Sequence, residues 1–232
     1  NDVLGQVAKE IKMASEGKGQ QFIPGRQTVD IVFVVHDAAK NKNYLLIGKR
    51  NASKIDFPNY YAIPGSAILE FESAINAAQR SFRMETGIDI SVVDNSCEPA
   101  KAILNNIDNL PADMYFTGIY ASADERINGT RGGGSQCFAI LIEGSTDRIR
   151  EVLGSEHDMD ELLFLDCDDV HRTDFAFDQK RMVTDSFVKL GIHCDNGERL
   201  QVYYDDMSPS SDGVSRSEAH LKGILHGASH TY

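Results

Sequence analysis

Two periodicities divide this chain. TVDIVFVVHD (28–37) and NYLLIGKR (43–50) are runs of β-branched and other apolar residues separated by the turn-forming AAKNK, which predicts a hairpin of core strands. Over residues 72–86 the period lengthens. Ile75, Ala78 and Phe82 recur at i, i+3 and i+7, the core-facing stripe of a helix that Gly87 would cap. Further strands are predicted at IDISVVD (88–94), DMYFTGIYA (113–121), QCFAILIEG (136–144) and ELLFLDC (161–167), with TDRIREVLG (146–154) as a short helical candidate between them. A second strong helix is predicted over FAFDQKRMVTDSFVKLG (175–191), with Phe177, Met182, Phe187 and Leu190 on its apolar side. At the start, Val3, Leu4, Val7 and Ile11 stand at helical spacing before GKGQ stops the pattern, and from Asn196 onward the chain turns polar, with only HLKGILHG (220–227) suggesting a helix. Strands and helices are mixed without a regular βαβ series, so the fold class is α+β. The organisation expected is an amphipathic helix and linker (1–24), one domain (25–191) and a polar tail (192–232), and no internal repeat interrupts it.

Charge narrows the range of partners. Among 232 residues, 35 acidic side chains outnumber 23 basic ones, a formal charge of −12, which disfavours nonspecific binding to nucleic acid or to an anionic membrane surface. Cys97, Cys137, Cys167 and Cys194 form no C-x-x-C pair, so neither a zinc knuckle nor a redox motif is encoded and reduced thiols in a cytoplasmic setting are expected. No apolar run reaches the roughly 20 residues of a membrane span, and the stretch after Asn1 has neither a basic n-region nor an apolar h-region. Several tempting features carry no chemistry. RGGGSQ (131–136) lacks the lysine of a phosphate loop and leads into a strand. Asp158, Asp160, Asp166, Asp168 and Asp169 are spaced too irregularly for a calcium loop, and His220, His226 and His230 lack partners at metal-ligand spacing. His36, at a strand end, is assigned no role.

The order of features in YAIPGSAILEFESAINAAQRSFRMETGIDI (61–90) is more specific: strand, Pro-Gly turn, acidic loop, a helix with Ala-Ala-x-Arg, then Glu-Thr-Gly-Ile. It resembles the box of the Nudix hydrolases, G-x5-E-x7-R-E-U-x-E-E-x-G-U, where U is bulky and apolar. Anchored on Gly87 and Ile88, the register places Ser66 at the box glycine, then Glu72, Arg80, Ser81, Phe82, Met84 and Glu85; Pro64 and Gly65 match the Pro-Gly that precedes the box. Outside it, the hairpin ending in Arg50 resembles the family's early strands. TGIYASADER, DELLFLDCDDV and FAFDQKRMV are similar to segments of the branch acting on ADP-ribose-like substrates. The resemblance covers roughly residues 25–191 and implies a Nudix fold, a mixed β-sheet sandwiched between helices. It also implies a nucleotide-type ligand, and magnesium or manganese if the protein is catalytic. Arg80, Gly65 and Gly87 take structural roles, with Glu72 as the partner of Arg80, and Arg50 and Arg126 would face a diphosphate.

The departures bear on chemistry. A Nudix enzyme activates water on divalent metals held by carboxylates that converge from one helical face, and positions 81, 84 and 85 form that face. Here they read Ser81, Met84 and Glu85. A thioether does not replace a carboxylate for magnesium, and a serine hydroxyl neither offsets charge nor serves as the usual base. Losing two transition-state interactions of about 3 kcal/mol each would leave little ordinary activity. Glu72 and Glu85 remain as candidate catalytic and metal-binding acids, with Glu70, Glu156 and Glu161 as substitutes from loops. Three readings follow: a domain that binds an ADP-ribose-like ligand with weak or no hydrolysis, a divergent metal-dependent hydrolase, and a scaffold for protein contacts. The forty or so residues after Gly191 are too few and too acidic for a DNA-binding winged helix. A homodimer is compatible with the family, although no apolar stripe demands one.

Overall fold

The computed structural model describes residues 27–54, 56–121, 134–154 and 159–194. The amphipathic segment before residue 25, Arg126, Glu156 and the tail beyond residue 194 lie outside the described residues. Among the described residues nine strands form one sheet: β1 (Thr28–Asp37), β2 (Lys42–Arg50), β3 (Tyr61–Ala62), β4 (Gly65–Ala67), β5 (Ile90–Asp94), β6 (Ala100–Leu104), β7 (Leu110–Ala121), β8 (Gly134–Glu143) and β9 (Met159–Asp166). The main path runs β3-β2-β1-β8-β7-β6-β5, with β4 pairing β1 and β9 pairing β2. β1 and β8 are parallel and the other ladders antiparallel.

Val29 to Val35 are all buried, as expected of a strand covered on both faces. Odd-numbered residues of β1 (Val29, Ile31, Phe33, Val35) share a core with Ala77, Ala78 and Phe82 of α1 (Ala74–Thr86). The even-numbered Asp30 instead meets Gln179, the first residue of α3 (Gln179–Leu190), which packs against β7 and β8. The α+β expectation of a mixed sheet between helices is therefore borne out. A short α2 (Thr146–Arg150) and a 3-10 turn (Cys167–Arg172) complete the described elements. Among the described residues no helix is long and apolar enough to cross a membrane.

Boundaries differ from the periodic reading where local chemistry overrides it. α1 begins two residues late because Ser73 caps it, its hydroxyl accepting the Asn76 N–H at 3.2 Å, and Glu72 is left in the preceding loop. Gly87 caps the other end at φ +77, its N–H donating to the Arg83 carbonyl. α3 is shorter than the pattern suggests. The backbone at 175–177 is spent on β3: Phe175 bridges Tyr61, the Ala176 N–H donates to the Tyr61 carbonyl at 2.8 Å, and Phe177 sits at φ +52, outside helical space. β5 starts at Ile90 rather than residue 88, after the Gly87 cap, and the five-residue β6 escaped the sequence reading altogether.

Phe82 and Phe33 hold the α1–sheet contact, both fully buried with ring centroids 5.2 Å apart. Phe82→Ala is expected to destabilise the domain by about 3–5 kcal/mol in urea unfolding at unchanged m value. A loss under about 1 kcal/mol would show that this ring is not a central packing element.

Candidate functional site

The Ile63–Pro64–Gly65 turn, the loop at 66–73 and helix α1 form one hydrogen-bonded unit. Arg80, on α1, reaches back over the loop. Its Nε donates to Glu72 Oε1 at 2.8 Å and its Nη2 to Glu72 Oε2 at 2.8 Å and to the Ala67 carbonyl at 2.9 Å, while Nη1 reaches Ser66 Oγ at 3.4 Å. Glu72 Oε2 also accepts the Leu69 N–H at 2.9 Å. This two-pronged pairing is the geometry at which a guanidinium fork binds a carboxylate best. The hydrogen bonds from Arg80 are the main reason the Glu72 carboxyl is held down at about 2. Within this loop Phe71 lies at φ +62 with its ring in solvent.

Glu85 closes the other side. Its Oε2 accepts the Gly65 N–H at 2.8 Å, across twenty residues of chain. Glu85 is buried, as are its helix neighbours Ser81 and Thr86. The Ser81 hydroxyl donates to the Ala78 carbonyl of its own helix at 3.3 Å, and Thr86 likewise donates to Phe82 at 2.6 Å, so the serine at the first acid position is turned into the helix. Gly65 admits no side chain, because a Cβ there would lie 2.4 Å from the Val29 carbonyl oxygen and 2.5 Å from Asp30 Oδ1. A Cβ on Gly87 would meet the Val152 carbonyl at 2.7 Å, in a backbone conformation that already favours glycine.

A divalent metal of the kind the sequence resemblance implies fits this donor set poorly. Both oxygens of Glu72 are taken by Arg80 and Leu69, an oxygen of Glu85 is taken by Gly65, and positions 81 and 84 offer a back-bonded hydroxyl and a thioether. Among the described residues no group of three His, Cys, Asp or Glu side chains could hold a metal.

Gly65, Glu72, Arg80 and Glu85 are thus brought together, with Gly87 ending their helix. Arg50 belongs to a different cluster at the end of β2: its Nε and Nη2 donate to the Asp56 carbonyl at 3.3 and 3.0 Å, and its guanidinium lies 5.1 Å from the centre of the Phe177 ring. Glu70 is exposed in the loop, and Glu161 is exposed on β9 opposite Lys49. The sequence reading passed over a buried polar group beneath the turn. Asp30 accepts hydrogen bonds from Ser135 and from Gln179 Nε2 (2.8 Å), and Gln179 Oε1 in turn accepts the Ile63 N–H at 3.1 Å. An acid inside the otherwise apolar run VDIVFVV was the available signal.

Comparison of folds identifies the architecture. No family model and no curated protein matches this chain in sequence. In structure it is similar to a MutT/Nudix family protein from Enterococcus faecalis, at 16% identity and a TM-score of 0.52 over 79% of this chain and 69% of that one. It is similar also to the Nudix domain of Shewanella oneidensis NrtR, solved with ADP-ribose, at 17% identity and a TM-score of 0.51 over 78% of this chain and 98% of that one. A MutT/Nudix family protein from Listeria innocua gives 19% identity and a TM-score of 0.50 over 72% and 95%. The chain therefore has the Nudix fold, as its sequence order suggested.

The Arg80–Glu72 clamp has a pH signature. The folded-state value of Glu72, about 2, lies below its ordinary 4.5, so the stabilisation is fully present above the ordinary value and fades as pH falls from 4.5 towards 2. Glu72→Gln is expected to cost about 2 kcal/mol near neutral pH. The gap between parent and variant in unfolding free energy should narrow through that acid window. A gap that stays constant down to the bottom of the window would show that ion pairing is not what Glu72 contributes.

Proposed function

We propose that this Nudix-fold domain binds a nucleoside diphosphate-linked ligand of the ADP-ribose type with weak or no hydrolysis. The observation that carries the reading is the state of the box carboxylates. Glu72 is committed to Arg80 and Glu85 to Gly65, while the two remaining acid positions are Ser81 and Met84. The loop and helix keep their shape through these bonds, and the donor set that would activate water is depleted. Shape without metal-activating acids suits recognition better than turnover. Support for the ligand class comes from the Shewanella oneidensis domain, whose fold this chain shares and which was solved with ADP-ribose. Arg50 and Arg126 are the arginines proposed to face the diphosphate, since a guanidinium fork matches phosphate oxygens.

The divergent-hydrolase reading would recruit Glu72 and Glu85, with a loop acid such as Glu156 or Glu161, to magnesium or manganese, in competition with the hydrogen bonds that Glu72 and Glu85 hold. The scaffold reading requires no small-molecule ligand at all. One assay separates the three. ADP-ribose, dinucleotides and nucleoside diphosphate sugars are added to the protein with and without magnesium or manganese, and melting temperature and released nucleoside monophosphate are read from the same samples. Ligand at a hundred times its Kd is expected to raise the melting temperature by about 5–10 °C with no product. Metal-dependent product that disappears in Glu85→Gln would establish the hydrolase, and the absence of any shift across the panel would leave the scaffold.

A further inference from the structure

Asp30 sits on the sheet face that α3 covers, yet its contacts through Gln179 and Gly65 lead to the turn that holds Glu85 on the face that α1 covers. Across the β1–β4 ladder Asp30 is the partner of Gly65, and its Oδ1 lies where a side chain on Gly65 would have to go. The same oxygen accepts Gln179 Nε2 at 2.8 Å. That amide holds both backbone groups of Ile63, accepting its N–H at 3.1 Å through Oε1 and approaching its carbonyl at 3.5 Å through Nε2. The Pro64 carbonyl accepts the Ile31 N–H at 2.8 Å, and the next donor along the chain is the Gly65 N–H on Glu85. Every polar backbone group from Ile63 N–H to Gly65 N–H is thereby fixed, from one side by Gln179 and β1 and from the other by Glu85.

We propose that Asp30 is a positioning residue for Glu85, acting across the sheet through Gln179 and the Ile63–Gly65 turn. A buried acid is a costly way to hold a turn, and nothing about packing alone requires one. Its partners are Ser135 and Gln179, both neutral, and Cys137, opposite it on β8, has its thiol pushed up to about 12 by burial. With no cation among those partners, burial outweighs the two hydrogen bonds and raises the Asp30 carboxyl above its ordinary range. Rigid coupling follows from geometry: Gln179 presents one planar amide to Asp30 and Ile63 together, so displacing the acid displaces the turn. A ligand that drew Glu85 away from Gly65 would loosen the same turn and be felt at the first residue of α3. That last consequence rests on the ligand-binding reading; the relay itself does not.

Amide hydrogen exchange on the full chain, with no ligand added, tests the relay independently of what the domain binds. Asp30→Asn keeps the shape and removes the acid, and Ser135→Ala withdraws one donor from Asp30 without touching the turn. In both variants exchange at Ile63 and Gly65 is expected to accelerate by about tenfold relative to the strand amides of Phe33 and Ala139. Combining either change with Glu85→Gln should accelerate Gly65 no further than Glu85→Gln alone, because both act on one hydrogen bond. The proposal is overturned if Gly65 exchange only follows the reference amides, as a general loss of stability would produce, or if the effects multiply in the double variant. Should Asp30→Asn fail to fold, Ser135→Ala decides by the same two criteria.

Discussion

Everything around the candidate site depends on the absence of a side chain at residue 65. Gly65 is packed so closely between the β1 backbone and Asp30 that a single added carbon would lie 2.4 Å from one oxygen and 2.5 Å from another. That closeness brings the Gly65 N–H up to Glu85 on α1 and brings Asp30 under the turn from the opposite face. Helix α1 is thus attached to β1 by apolar packing through Phe82 and to β4 by a hydrogen bond from the Gly65 N–H to Glu85. Packing fixes the distance between helix and sheet, and the directional bond fixes where along the sheet the helix sits.

The same contacts hold the loop and helix of the Nudix fold in shape. Structural and chemical demands on the box fall on different residues. Arg80, Glu72, Gly65 and Gly87 shape the loop and end the helix, and all four are present. Positions 81 and 84 would contribute only to metal chemistry. Ser81 finds a carbonyl in its own helix, Met84 is half-buried, and among the described residues no buried side-chain nitrogen or oxygen lacks a hydrogen-bond partner. Glu85 is the intermediate case, since it serves the turn whether or not a metal is ever bound.

Much of this was legible in the sequence because periodicity and punctuation agreed there. The strands at 28–37 and 43–50 declared themselves by continuous apolar runs, and α1 by its stripe and its glycine cap. The pairing of Arg80 with Glu72 followed from the motif's register, and the two lie within hydrogen-bond distance. What remained hidden depends on contacts distant in sequence. Phe175 to Phe177 has good helical spacing but pairs with β3, more than a hundred residues earlier, and no local pattern reports that. β6 alternates over only five residues, too few to stand out against its surroundings. Asp30 was visible as an acid in an apolar strand, yet its meaning lay in Gln179, whose amide looks like an ordinary first-turn residue until the chain is folded. Arg50 stands at the end of β2, where its guanidinium also holds the Asp56 carbonyl and lies over the Phe177 ring, contacts that no local pattern reports.

The competition at Glu85 bears most directly on chemistry. A metal drawing on Glu85 would compete with the Gly65 N–H, which Glu85 Oε2 accepts at 2.8 Å. A hydrogen bond to a charged group contributes about 1.5–3 kcal/mol, so a metal that displaced it would have to offset that loss before contributing anything to catalysis. A phosphate oxygen changes the balance, because it is itself an acceptor and could take the Gly65 N–H in place of the carboxylate. Like charge then works against placing phosphate and Glu85 side by side unless a cation stands between them. A ligand phosphate at this turn would therefore compete with Glu85 for one backbone N–H.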